Sequence, residues 1–236
     1  SSNGTLTNLR VELKTAPGNG NSRTFTVNDT TVATALACTI SGTATSCNDT
    51  DSIDVVATDY ISIDPSSTGT PAASGTAQWS LIFNGTTSAE SVYSGSSRGG
   101  SLSTTATQYL PITTPFPTLT GTEFNEETLA STSGTFKNLY VRLGTAPGTG
   151  ATRTFTVRED NTSQTLTCAI SDANTTCSDT ANSFTIAAGN SFTLMSKVSA
   201  TAPAASVTQF GVTFTADTDG EFMFLQTIFR LHRFIS

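Results

Sequence analysis

Residues 4–13 read Gly-Thr-Leu-Thr-Asn-Leu-Arg-Val-Glu-Leu, and residues 134–143 read Gly-Thr-Phe-Lys-Asn-Leu-Tyr-Val-Arg-Leu. In the first stretch Leu9, Val11 and Leu13 alternate with Arg10, Glu12 and Lys14. Apolar residues at every second position mark a strand with one face on a core and the other on solvent. Leu139, Val141 and Leu143 repeat that pattern 130 positions later. The match runs without gaps from residues 4–50 onto residues 134–180, with 24 identities in 47 positions. Pro17-Gly18 and Pro147-Gly148 make the following turns, proline fixing φ and glycine free to turn left-handed. Arg23-Thr24-Phe25-Thr26-Val27 and Arg153-Thr154-Phe155-Thr156-Val157 then place Phe and Val on an inner face. Later, Pro71-Ala72-Ala73-Ser74 matches Pro203-Ala204-Ala205-Ser206, and Gln78-Trp79 matches Gln209-Phe210. This is a duplicated domain, with a period too long for a solenoid coil.

Further strands are expected near residues 53–56, 60–63 and 79–83, with counterparts at 184–186, 192–194 and 210–214. Short strands, frequent turns and no helical stretch predict one antiparallel β-sandwich per repeat. Composition agrees. The 236 residues include 48 Thr and 29 Ser, and threonine is β-branched and weak in helices. The net charge of −7 with few basic residues argues against a nucleic-acid partner. No run of about 18 apolar residues offers a membrane-spanning helix.

Cys38, Cys47, Cys168 and Cys177 form two pairs with the same Cys-x8-Cys spacing. Zinc sites usually use closer pairs, so disulfides are expected, and with them an oxidising location. If Gly42-Thr43 are the two residues of a hairpin turn, Cys38 faces Cys47 as a non-hydrogen-bonded cross-strand pair, the closest kind. Asp172-Ala173 would be the matching turn in the second repeat. Six sequons, at Asn3, Asn28, Asn48, Asn84, Asn161 and Asn174, allow glycosylation.

The repeats are cut off-register. Residues 89–133 lead into the second repeat and hold a candidate first strand at 103–112, whereas the first repeat has no such lead in this sequence. Past the second repeat, residues 220–224 resemble residues 89–93. The tail then becomes apolar, with Phe222, Phe224, Leu225, Ile228, Phe229, Leu231, Phe234 and Ile235 beside Arg230, His232 and Arg233. Two readings stay open. The tail packs within its own chain, or it is an assembly strand inserted into the first repeat of a neighbour, a non-closing contact that makes a fibre. The expected division is residues 1–88, residues 89–216, and a C-terminal strand at 217–236.

The signature Gly-Thr-(Leu/Phe)-x-Asn-Leu-x-Val-x-Leu, then Ala-Pro-Gly-x-Gly, then Arg-Thr-Phe-Thr-Val occurs in both repeats. With the later Pro-Ala-Ala-Ser segment it resembles the tandem jelly-roll-like repeats of phage and metagenome-encoded virion-surface proteins. The resemblance implies an all-β chain of two tandem jelly-roll-like antiparallel β-sandwich domains, serving as a building block of a particle surface, tail fibre or extracellular filament.

Residues with catalytic potential are few. A Ser-His-Asp triad would need His232, in the tail. Glu126-Glu127 is read as an exposed loop, and the glycine-rich residues 95–100 as a linker. Asp49, Asp51, Asp54, Asp59 and Asp64 are weighed as a calcium site and read as a solvated loop. Tyr93, Tyr109 and Tyr140 are weighed as exposed sugar-stacking groups. The expectation is a non-enzymatic structural protein with no catalytic residues, metal or cofactor, found outside the cell or on a virion surface. Its expected partners are copies of itself, with surface glycans as the alternative, and neither nucleic acid nor membrane.

Overall fold

The computed structural model describes residues 2–73, 76–97, 100–112, 119–199, 201–203, 208–221 and 223. The chain forms two compact units that divide between Thr86 and Thr87. In the first, the six strands are β1 (Gly4–Leu13), β2 (Gly18–Asp29), β3 (Val32–Gly42), β4 (Ser46–Val55), β5 (Ile61–Thr68) and β6 (Ala77–Gly85). They form two antiparallel sheets of order β4-β1-β6 and β3-β2-β5. The alternation in β1 buries Leu9, Val11 and Leu13 against Phe25 and Val27 of β2 and Leu36 and Ile40 of β3. Asn8 interrupts the alternation. It takes a positive φ of 55°, and the pairing of β1 with β4 shifts by a residue between Thr7 and Leu9. Asparagine tolerates this left-handed bulge position better than most residues. Asn138 repeats it at φ 54°.

The second unit contains β7 (Glu90–Ser96), β8 (Gln108–Leu110), a short 3-10 turn (Glu123–Glu126), β9 (Thr128–Leu129), β10 (Gly134–Leu143), β11 (Gly148–Glu159), β12 (Thr162–Asp172), β13 (Thr176–Ile186), β14 (Ser191–Val198) and β15 (Thr208–Ala216). Its sheets run β13-β10-β15-β7 and β12-β11-β14-β8, with the two-residue β9 also pairing with β14. Apart from β9, the eight strands counted in chain order give sheets 6-3-8-1 and 5-4-7-2. That is a jelly roll of two four-stranded sheets. Strands β10 to β15 match β1 to β6 in order and pairing. The first unit is therefore the same roll without its first two strands, among the described residues.

Two expectations are corrected here. The turns are as read: the Ala44 N–H donates to the Ser41 carbonyl across Gly42-Thr43, with Gly42 at φ 61°, and the Asn174 N–H donates to the Ser171 carbonyl. The strands leaving each turn, however, join different sheets. Cys38 lies opposite Phe25, and Cys47 opposite Val11. The Cys38–Cys47 and Cys168–Cys177 disulfides, with Cα–Cα distances of 5.8 and 5.7 Å, thus join sheet to sheet rather than rung to rung. The second correction concerns residues 95–100. Gly95 and Ser96 belong to β7, the first strand of the roll, and Ser97 is fully buried. Residues 103–112 supply the second strand, not the first.

Candidate functional site

Each sandwich has two long flanks. The disulfide closes one, between the edge strands β3 and β4 or β12 and β13. At the other flank the two units differ. In the second, β7 covers the edge of β15 from Glu90↔Thr215 to Ser96↔Gln209, and β8 covers β14. Leu102, Leu110, Ile112 and Ala130 from the lead fill the interior. Tyr93 reaches in between Phe136 and Phe214, with ring centroids 6.4 and 6.0 Å away. Its hydroxyl accepts from the Met223 N–H and donates to the Met223 carbonyl, both at 3.0 Å. Gly95 lies opposite Phe210, and a Cβ there would collide with the Phe210 ring.

In the first unit no described residue pairs with the second edge of β5 or β6. Trp79 holds the place of Phe210. It is paired with Val11 and so shares the inner face with that core residue. Yet Trp79 is 59% exposed where Phe210 is 5% exposed. Ile61 is 40% exposed where its counterpart Phe192 is fully buried. The arginines mark the same difference. Arg153 is buried, and its Nη2 donates to the carbonyls of Ser103 in the lead (2.8 Å) and of Pro203 (2.9 Å). Burial pulls its pKa down from the ordinary arginine value. Arg23 donates to the Ala72 carbonyl at 3.0 Å and to Ser67, with no lead to meet it among the described residues.

The two uncovered edges are chemically unlike. β6 reads Ala-Gln-Trp-Ser-Leu-Ile-Phe-Asn-Gly, with neither a charge nor a proline. β5 carries Asp64 and Pro65. A charge and a proline are the usual means by which an edge strand refuses further pairing. Across β4, β1 and β6, Arg10, Glu12, Asn48 and Gln78 line a shallow groove of about 470 Å³.

The remaining candidates are mostly occupied by the chain's own groups. The assembly-strand residues Phe222, Phe224, Leu225, Ile228, Phe229, Leu231 and Phe234 lie outside the described residues, as do His232 and Ile235. Asp49 accepts from the Ala37 and Asp51 N–H groups, Asp59 from the Val56 N–H and Asp64 from Asn28 Nδ2. Among the described residues no three acidic, histidine or cysteine side chains gather as metal ligands. Asn28 is buried with its amide engaged, while Asn3, Asn48, Asn84, Asn161 and Asn174 are exposed.

Two surface readings are corrected. Glu126 is buried and accepts from Thr120 Oγ1, its neighbour Glu123 is buried and paired with Arg158 at 2.5 Å, and burial pushes the Glu127 carboxyl up. The 3-10 turn folds these groups onto the roll, where the sequence shows only an acidic run. Tyr93 is buried because β7 is part of the sandwich, while Tyr109 and Tyr140 are half-buried. The role of Arg153 escaped sequence reading, although its recurrence as Arg23 inside the repeated motif was the available signal. No protein-family model matches the chain, and no curated protein matches it.

Proposed function

We propose that the protein is a non-enzymatic structural subunit of an extracellular assembly, a filament, fibre or virion surface, whose copies are joined by strand addition. The observation that carries this reading is the unequal pair of rolls. One has all eight strands, and the other presents an apolar, uncharged strand edge that no described residue covers. Such an edge pairs with another chain unless something protects it. Two disulfides suit an oxidising compartment, and threonine-rich outer faces keep the sheets wetted while their edges pair.

Electron microscopy of the full chain tests the proposal. The expected result is a regular polymer, and removal of residues 224–236 leaves a monomer that retains Met223 in its core. A full chain that stays monomeric at every concentration overturns it. A second reading, an adhesive module that binds surface glycans, is favoured by the groove of Arg10, Glu12, Asn48 and Gln78, whose charged groups and amides are suited to hydrogen-bonding sugar hydroxyls. Glycan binding by the monomer would support that reading instead.

A further inference from the structure

We infer that the acceptor is the edge of β6 and not that of β5, and that its occupant is the segment beginning at Phe224 of a second copy. This rests on the assembly reading above and names the parts that meet.

The chain already performs this handover once. The segment that follows β6, the last strand of the first unit, is β7, and β7 takes the first-strand position of the next unit, along β15. The exit from each unit is built alike. The Thr86 N–H donates to the Asn3 carbonyl, and the Asp217 N–H donates to the Ser133 carbonyl. The Glu90 N–H then donates to Thr87, and the Glu221 N–H to Thr218. Each turn carries one left-handed residue, Ala89 at φ 58° and Gly220 at φ 83°. The same exit from the second unit therefore launches a segment that stands, in the repeat, where β7 stands. Among the described residues, the first-strand position left uncovered is the one along β6. The two exits differ in one respect. Met223 is buried and held at both its N–H and its carbonyl by Tyr93, so the second handover begins only at Phe224.

Residues 224–236 suffice for the task. β7 uses seven residues, and thirteen at about 3.3 Å each reach roughly 40 Å. Seven of the thirteen, Phe224, Leu225, Ile228, Phe229, Leu231, Phe234 and Ile235, are large and apolar. Tyr93, Leu102, Leu110 and Ile112 fill the corresponding space in the second unit. β5 is the poorer acceptor, because Pro65 brings no N–H to a ladder and Asp64 would be desolvated by one. Donor and acceptor lie on different units, so each copy gives to one neighbour and takes from another.

Trp79 is the chain's one tryptophan and lies on the proposed acceptor, which makes the full chain its own reporter. As the chain assembles, Trp79 emission shifts to the blue and loses accessibility to iodide. Trp79→Lys puts a charge on the inner face of that edge and leaves the chain monomeric, while Trp79→Phe, which copies Phe210, assembles normally. Circular dichroism and intact disulfides establish that both variants fold. Mixing Trp79→Lys with a chain truncated after Met223 gives one-to-one dimers that do not grow, because one lacks the acceptor and the other the donor. Polymers that form with Trp79 still open to iodide, or from Trp79→Lys itself, overturn the β6 assignment while leaving the assembly reading intact. Dimers of the truncated chain alone would show β6 pairing with β6 and overturn the donor. Trp79 protected at all dilutions would show the tail folding onto its own first unit, and overturn the second copy as occupant.

Discussion

Asp179 shows how one side chain is committed by its surroundings. Burial alone would raise its carboxyl, but N–H groups of Thr167, Asn182 and Ala181 and the Asn182 amide outweigh burial and hold it below the ordinary aspartate value. A carboxyl depressed in the folded state contributes stability that is fully present above its unfolded pKa of about 3.9, and that is lost as pH falls through the folded value. The second unit should therefore weaken in acid below about pH 4. Asp179→Ala should remove that part of the pH dependence and cost about 1–3 kcal/mol at neutral pH, because buried N–H groups lose their acceptor. Urea unfolding from pH 2 to 7 measures both, and an unchanged acid slope would count against the assignment. The sequence aligned Asp179 with Asp49 but read the region as a solvated loop. Three of its partners are backbone N–H groups, which no pattern of side chains reveals.

Among the elements, the stapled hairpins carry the most information. Turn chemistry is local, so Gly42 and Asp172 could be read directly as turn residues. Which ladder each strand joins is not local. β3 and β4 separate because each gains a neighbour, β2 or β1, whose inner face it helps to bury. The disulfide therefore closes the flank of a sandwich. Replacing Cys38 and Cys47 with serine should cost about 2–3 kcal/mol in the chain-entropy model. The same change at Cys168 and Cys177 should be tolerated better, since β7 and β8 brace that unit's far flank. Thermal unfolding of the two double variants measures the difference, and equal losses of folded structure would contradict this account.

At the scale of the molecule, the two units share a motif but not a core. The lead contributes Tyr93, Leu102, Leu110, Ile112 and Ala130 to the second unit, and the first unit has no counterpart to them among the described residues. Calorimetry of the unassembled chain should show two transitions, with the first unit melting lower. Assembly should raise the lower one, since a strand bound only to the folded state stabilises it by mass action. A single transition unchanged by assembly would count against the unequal rolls.

By itself the sequence determined the strands of the repeated motif, the duplication, the turns, the cysteine pairing and the mismatch between the repeats. These follow from periodicity and from identities at fixed spacing, which are local properties of a chain. The tertiary structure alone decided that β7 is a strand paired along β15, that the disulfides span two sheets, and that Trp79 lies open where Phe210 is covered. Those outcomes depend on which distant strand completes each sheet. Burial over the whole unit settles that choice, and no window of sequence contains it.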